Sequence, residues 1–161
     1  MPKKTQKGFF LIEAIVASAI IGTSLVLMLA VISNVVDISH RALEKTQASY
    51  LLEEGGEVAK VLRNQAWSNI SNLTPGTTYY MHWDNTGKTW SYTTTAEKVG
   101  VFTRTIVISS VQRNANADIV SSGGSVDSGT LQMTISVSWQ SANGTSATET
   151  MPFYITSSPN I

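Results

Sequence analysis

One long apolar run and two different periodicities divide this chain. Residues 9–36 are apolar almost throughout, and from Ala14 to Val36 no residue is charged. Glu13 is the single formal charge between Lys7 and Asp37. At about 1.5 Å per residue the run reaches roughly 40 Å as a helix, more than the roughly 30 Å hydrocarbon core of a bilayer. Beyond Val36 the pattern becomes amphipathic. Val35, Ile38, Ala42, Thr46, Leu51, Val58, Leu62 and Ala66 recur mostly at steps of three or four, with charges such as Arg41, Glu44, Lys45, Glu54 and Lys60 between them. Such spacing predicts a helix over 37–73 with one face to bury. Gly55-Gly56 is an expected weak point in it, since each glycine costs about 1 kcal/mol relative to alanine. Thr74-Pro75-Gly76 is the expected stop.

From Thr77 the period drops to two. Residues 77–83 and 89–95 flank a five-residue, glycine-containing loop and read as a hairpin. Residues 102–111 make a third strand. Leu131, Met133, Ile135, Val137 and Trp139 alternate with polar residues, giving a strand with one buried face. Asn143-Gly144 turns the chain into a strand over 148–156, where Met151, Phe153 and Ile155 share a face. Pro152 cannot donate to a ladder and predicts an edge or irregular position for this strand. The Ser-, Gly-, Asn- and Asp-rich stretch 114–129 is expected to be an exposed, mobile loop. The apolar stripe of the helix and the apolar face of the sheet need one another. The expected fold is therefore α+β: a long N-terminal helix whose amphipathic half lies on a small antiparallel sheet built from residues 74–161.

Composition narrows the function classes. The 161 residues carry 11 basic and 11 acidic side chains, so there is no electrostatic footprint for nucleic acid. With no cysteine, disulfides, thiolate metal sites and cysteine nucleophiles are excluded. His40 and His82 are far apart in sequence and near no carboxylate cluster. No base–nucleophile–orienter pattern or phosphate-cradling glycine loop occurs, so neither an enzyme nor a cofactor is expected. Asp118 and Asp127 are candidate calcium ligands, without the dense Asp/Asn spacing of a dedicated site. Tyr79, Tyr80, Trp83, Trp90 and Tyr92 read either as an exposed aromatic patch or as cross-strand packing. The sequons at Asn69, Asn72 and Asn143 are short enough to arise by chance.

The N-terminal residues carry the sharpest signal. Residues 1–8 form a basic leader with Lys3, Lys4 and Lys7 and no acid. A positive flank keeps that end cytoplasmic and sends the rest outward. A plain signal anchor is one reading. A cleaved secretory signal is disfavoured, because the run is too long for an h-region and Ala17-Ser18-Ala19 falls in its middle. Glu13 fits neither comfortably: a charge at membrane depth costs about 2.5–3.5 kcal/mol on insertion scales and calls for a partner.

Gly8-Phe9-Phe10-Leu11-Ile12-Glu13 resembles the class III signal of type IV pilins and type II secretion pseudopilins, with Phe10 in place of the usual threonine. The resemblance implies a pilin-like fold, cleavage between Gly8 and Phe9 by a prepilin peptidase, and N-methylation of Phe9. It also implies helix–helix packing with other pilin subunits on an inner-membrane assembly platform. The chain would sit in the bacterial inner membrane before assembly and in an extracytoplasmic filament at the cell surface afterwards. Glu13 would be the assembly residue, its carboxylate meeting the new Phe9 ammonium of the same or a neighbouring subunit. Gly22 falls where the family commonly has a glycine. The family's frequent proline is missing between Gly22 and Val36, as is the cysteine pair of many pilins, which leans toward a minor pilin or pseudopilin. Leu51-Leu52-Glu53-Glu54-Gly55-Gly56-Glu57-Val58 with Arg63-Asn64, Val137-Ser138-Trp139 and Phe153-Tyr154-Ile155-Thr156 are similar to minor pilins of the V type and minor pseudopilin I. The competing expectation is a signal-anchored extracytoplasmic binding module that presents residues 114–129 and builds no filament.

Overall fold

The computed structural model describes residues 7–141 and 144–157. Residues 1–6 of the leader and Asn143 of the expected turn lie outside the described residues. The fold is α+β, with a long N-terminal helix, α1 (Lys7–Gln65), and an antiparallel sheet of seven strands. The chain divides into two units, Met1–Leu43 and Glu44–Ile161, and α1 supplies residues to both.

In the first unit, every described side chain from Phe10 to Leu43 is exposed. This includes the full set of large aliphatic residues between Leu11 and Val36. Among the described residues, α1 is the helix long and apolar enough to cross a membrane.

The second unit buries its apolar surface in a single layer between helix and sheet. The side of α1 that faces the sheet carries a seam of Ala48, Leu52, Gly55, Ala59 and Leu62, spaced four, three, four and three, with Gly56 and Val58 buried beside it. That differs from the expected stripe. Leu51, Val58 and Leu62 are buried or half-buried as expected, but Val35, Ile38, Ala42, Thr46 and Ala66 are exposed. The reason is close approach. A Cβ on Gly55 would stand 2.9 Å from Ile135 Cδ1 and 3.2 Å from its Cγ2, and one on Gly56 would stand 3.1 Å from Met151 Cε. The glycine pair leaves α1 unbroken and lets its backbone press onto the sheet.

The helix stops earlier than expected. α1 ends at Gln65, and a short α2 (Ser68–Ser71) follows instead of helix continuing to residue 73. The Leu62 carbonyl accepts from the Ala66 N–H and from Asn69 Nδ2, both at 3.1 Å, which ties α2 to the end of α1. The bend lets Ile70 enter the core fully, with Trp67 half-buried against it.

The sheet runs in the order β2 (Thr89–Thr93), β1 (Thr78–Asp84), β4 (Phe102–Arg113), β6 (Ser125–Gln140), β7 (Ser146–Thr156). Two short strands, β3 (Lys98–Val99) and β5 (Ile119–Val120), pair with β4. Asp84 closes the first hairpin by accepting from the backbone N–H groups of Thr86 and Gly87 at 2.8 and 3.0 Å. The expected alternation of β6 holds: Leu131, Met133, Ile135, Val137 and Trp139 are buried, with half-buried polar residues between them. Pro152 lies on β7, an edge strand, opposite Thr134.

Residues 114–129 depart from the expected loop. They form the far end of the β4–β6 hairpin, and Arg113 pins them. Its guanidinium donates to Asp127 at 2.7 Å, to the Ala117 carbonyl at 2.8 Å and to Thr130 Oγ1 at 3.2 Å. The β4–β6 register shifts here, Ser110 facing Leu131 while Val111 faces Asp127. Asn114 Oδ1 accepts from the N–H groups of Asn116 and Asp118, both at 2.9 Å, and organises the neighbouring turn.

Candidate functional site

The residues singled out by the motif lie at the start of α1. Gly8 and Phe9 fall within the helix. Glu13 is on the next turn, exposed, and the described residues provide no ion pair or hydrogen bond to its carboxylate. Its surroundings along the helix are apolar: Phe10, Leu11, Ile12, Ile15 and Val16 are all more than half exposed.

The other polar side chains of this segment behave differently. Ser18 donates to the Ile15 carbonyl at 2.8 Å, Thr23 to those of Ala19 and Ile20 at 3.0 Å, and Ser24 to that of Ile20 at 2.7 Å. Hydroxyls that return to the backbone of their own helix are compatible with lipid or with a neighbouring helix. They need nothing from outside. A carboxylate has no such option, because backbone N–H groups inside a helix are already used. Glu13 is therefore the one carboxylate in a 10–36 segment otherwise suited to an apolar environment. Gly22 is equally open: a Cβ there would meet nothing within 4 Å.

Several carboxylates of the second unit are held by their own chain. Glu44 accepts from Trp139 Nε1 at 3.0 Å and from the Ser141 hydroxyl. Glu54 meets Arg104 at 2.6 Å, and Arg104 also donates to the Leu51 carbonyl at 3.0 Å. That arginine is only 4% exposed and sits on the core face of β4. Glu97 lies 2.5 Å from His82, and Glu149 lies 3.0 Å from Lys45. Arg113 holds the Asp127 carboxyl down at about 2, with hydrogen bonds from Thr130 and the Gly129 N–H adding to the effect. Burial pushes the Tyr92 phenol well above its usual range.

These pairings bear on the remaining candidates. Asp127 is committed to Arg113, and Asp118 accepts from Asn114 Nδ2 at 3.2 Å, so the two aspartates serve separate local networks. Among the described residues no group of three or more His, Asp or Glu side chains is arranged to hold a metal ion. His40 is exposed on α1, far in sequence from His82 with its Glu97 partner. Several of the aromatic residues pack across strands or onto the core, while Trp83 remains 37% exposed. Trp83 and Trp90 are cross-strand partners with ring centroids 5.1 Å apart, Tyr79 is buried, and Tyr92 leans on the core.

Sequence reasoning missed the small-residue seam of α1 and the Glu54–Arg104 pair. The seam had a signal, the 3.5-residue spacing of Ala48, Leu52, Gly55, Ala59 and Leu62. The pair had none beyond a basic residue at an inward position of a strand. No family model matches the chain, and no curated protein or solved structure is similar to it.

Proposed function

We propose that this chain is a minor type IV pilin or pseudopilin, a structural subunit cut after Gly8, N-methylated at Phe9 and built into a filament. One observation carries the reading: an entirely exposed apolar helical segment whose sole carboxylate, Glu13, has no partner among the described residues. An exposed segment of this kind needs lipid or other helices around it. The carboxylate needs a cation at the same depth. Cleavage after Gly8 creates one, an ammonium at Phe9, four residues from Glu13 and thus one helical turn away. In the membrane the amine neutralises the acid. In a filament the acid of one subunit meets the amine of the next and fixes axial register, since a paired buried charge specifies position more than it stabilises. The prepilin peptidase, the sibling subunits and the assembly platform are the partners this role requires, and it assigns no catalytic residue.

Mass spectrometry of protein taken from sheared filaments tests it. The expected mass begins at a methylated Phe9. Assembled protein that still carries Met1 through Gly8 overturns the proposal.

A further inference from the structure

Between the C-terminal end of α1 and the free edge of β2 lies a cleft of about 320 Å³. It belongs wholly to the Glu44–Ile161 unit and plays no part in the assembly role proposed above. Its volume falls at the lower end of the range of about 300–1,000 Å³ typical of small-molecule sites. Leu62 and Leu73 contribute apolar walls, Trp90 and Tyr92 contribute rings, and Gln65 and Asn69 contribute amides. No charged side chain lines it.

The rings are fixed in place. Trp90 packs on its cross-strand partner Trp83 at an interplanar angle of 55°, and the Tyr92 hydroxyl is directed at Met133 Sδ, 4.0 Å away. The polar groups, by contrast, have capacity to spare. Neither the Gln65 amide nor the Trp90 indole N–H has a hydrogen-bond partner among the described residues. Asn69 spends its Nδ2 on the Leu62 carbonyl, leaving its Oδ1 as an acceptor.

We propose that this cleft binds the end of a neutral hexose-containing glycan. A pyranose has an apolar C–H face, which a locked indole accommodates, and a rim of hydroxyls that both donate and accept. Amides match that rim because each carries two donors and an acceptor on one plane. The absence of cationic lining disfavours phosphates, sulfates and acidic sugars, and the absence of anionic lining disfavours cations. The cleft's volume leaves room for a terminal sugar and part of its neighbour.

The test is a glycan array probed with the full-length protein in a phosphocholine detergent, because maltoside detergents would occupy the site. Titration of maltose, lactose, cellobiose and chitobiose, followed by tryptophan fluorescence, accompanies the array. Binding to neutral glycans is expected, with little to sialylated or sulfated ones. Trp90→Ala should weaken the affinity about tenfold through loss of the ring face. Gln65 is exposed at the end of α1, so Gln65→Ala should weaken binding about fivefold with an unchanged melting temperature. An array with no neutral glycan above background overturns the proposal. So does preference for acidic glycans, or neutral binding that Gln65→Ala leaves unaltered.

Discussion

Glu13 and Glu54 are carboxylates on one helix, and their circumstances are opposite. Glu54 reaches a buried guanidinium that its own chain supplies, whereas the described neighbours of Glu13 along the helix are apolar. The glycines repeat the contrast. Gly55 is pressed against Ile135, while Gly22 faces open space. The Glu44–Ile161 unit answers most of its ionic and steric demands internally, the buried Arg104 Nε excepted. Among the described residues, 10–43 leave their apolar surface and the Glu13 carboxylate open, and these are the demands the proposed assembly role would meet.

The largest expected effect lies at the open carboxylate. Glu13→Ala should leave membrane insertion intact, or favour it, since it removes a charge costing about 2.5–3.5 kcal/mol at depth. Incorporation into filaments should fall by an order of magnitude or more, the cost of an amine left unpaired in a desolvated site being about 3–5 kcal/mol. Immunoblots of sheared and membrane fractions read both quantities. Unchanged incorporation would favour a plain signal anchor over an assembly contact and remove the distinction drawn between the two carboxylates.

At the closed carboxylate the expected effect is on stability and is asymmetric. Glu54→Ala strands the Arg104 cation in the core and should cost about 3 kcal/mol. Arg104→Met leaves behind an acid that is 46% exposed and can rehydrate, with an apolar side chain filling the space. That change should cost no more than about 1 kcal/mol. Thermal melting of the full chain in detergent compares them. Equal losses would mean that the pair is held by packing rather than by the burial of one charge.

Adjacent glycines give a smaller and sharper test. Gly55→Ala places a methyl 2.9 Å from an Ile135 that is fully buried, so overpacking of about 1–3 kcal/mol should exceed the gain in helix propensity of about 1 kcal/mol. Gly56→Ala meets only Met151 Cε at 3.1 Å, the end of a flexible, half-buried side chain. There the propensity gain should win, by up to about 1 kcal/mol. The two variants are expected to shift the melting temperature in opposite directions. A shift in the same direction would show that the close approach of α1 to the sheet does not set the energetics.

These same residues show what the chain disclosed in advance and what it withheld. The apolar run, the buried face of β6 and the edge position of Pro152 follow from one-dimensional rules of period and donor loss, and each was legible. The phase of α1 on the sheet was not. Hydropathy follows large side chains, whereas Ala48, Gly55 and Ala59 are buried because they are small. The stretch 114–129 has the composition of a free loop, and its order depends on Arg113, a residue outside it. Arg104 and Glu54 are far apart in sequence and paired only by the register of β4 under α1. The Gly8–Phe9–Glu13 site stands on its motif alone, and the described residues hold no partner for Glu13.

The smallest effect concerns Asp127, a carboxylate closed by the same kind of partner as Glu54 but at the surface end of the β4–β6 hairpin. Its pKa is lowered from 3.8 to about 2, first by the hydrogen bond from Arg113. A carboxyl group whose folded pKa lies below its unfolded value stabilises the fold fully above the unfolded value, and that contribution is lost as pH falls through the folded one. The window is therefore roughly pH 4 to pH 2. Asp127→Asn should lower the melting temperature slightly at neutral pH, and the gap from the unaltered chain should close as pH drops through that window. The other acids protonate equally in both proteins and cancel in the difference. A gap that persists to pH 2 would mean that Asp127 orders the β6 bulge through its shape and its bond to the Gly129 N–H, with no contribution from its charge. In that case the contrast between open and closed carboxylates would rest on the buried Glu54–Arg104 pair alone.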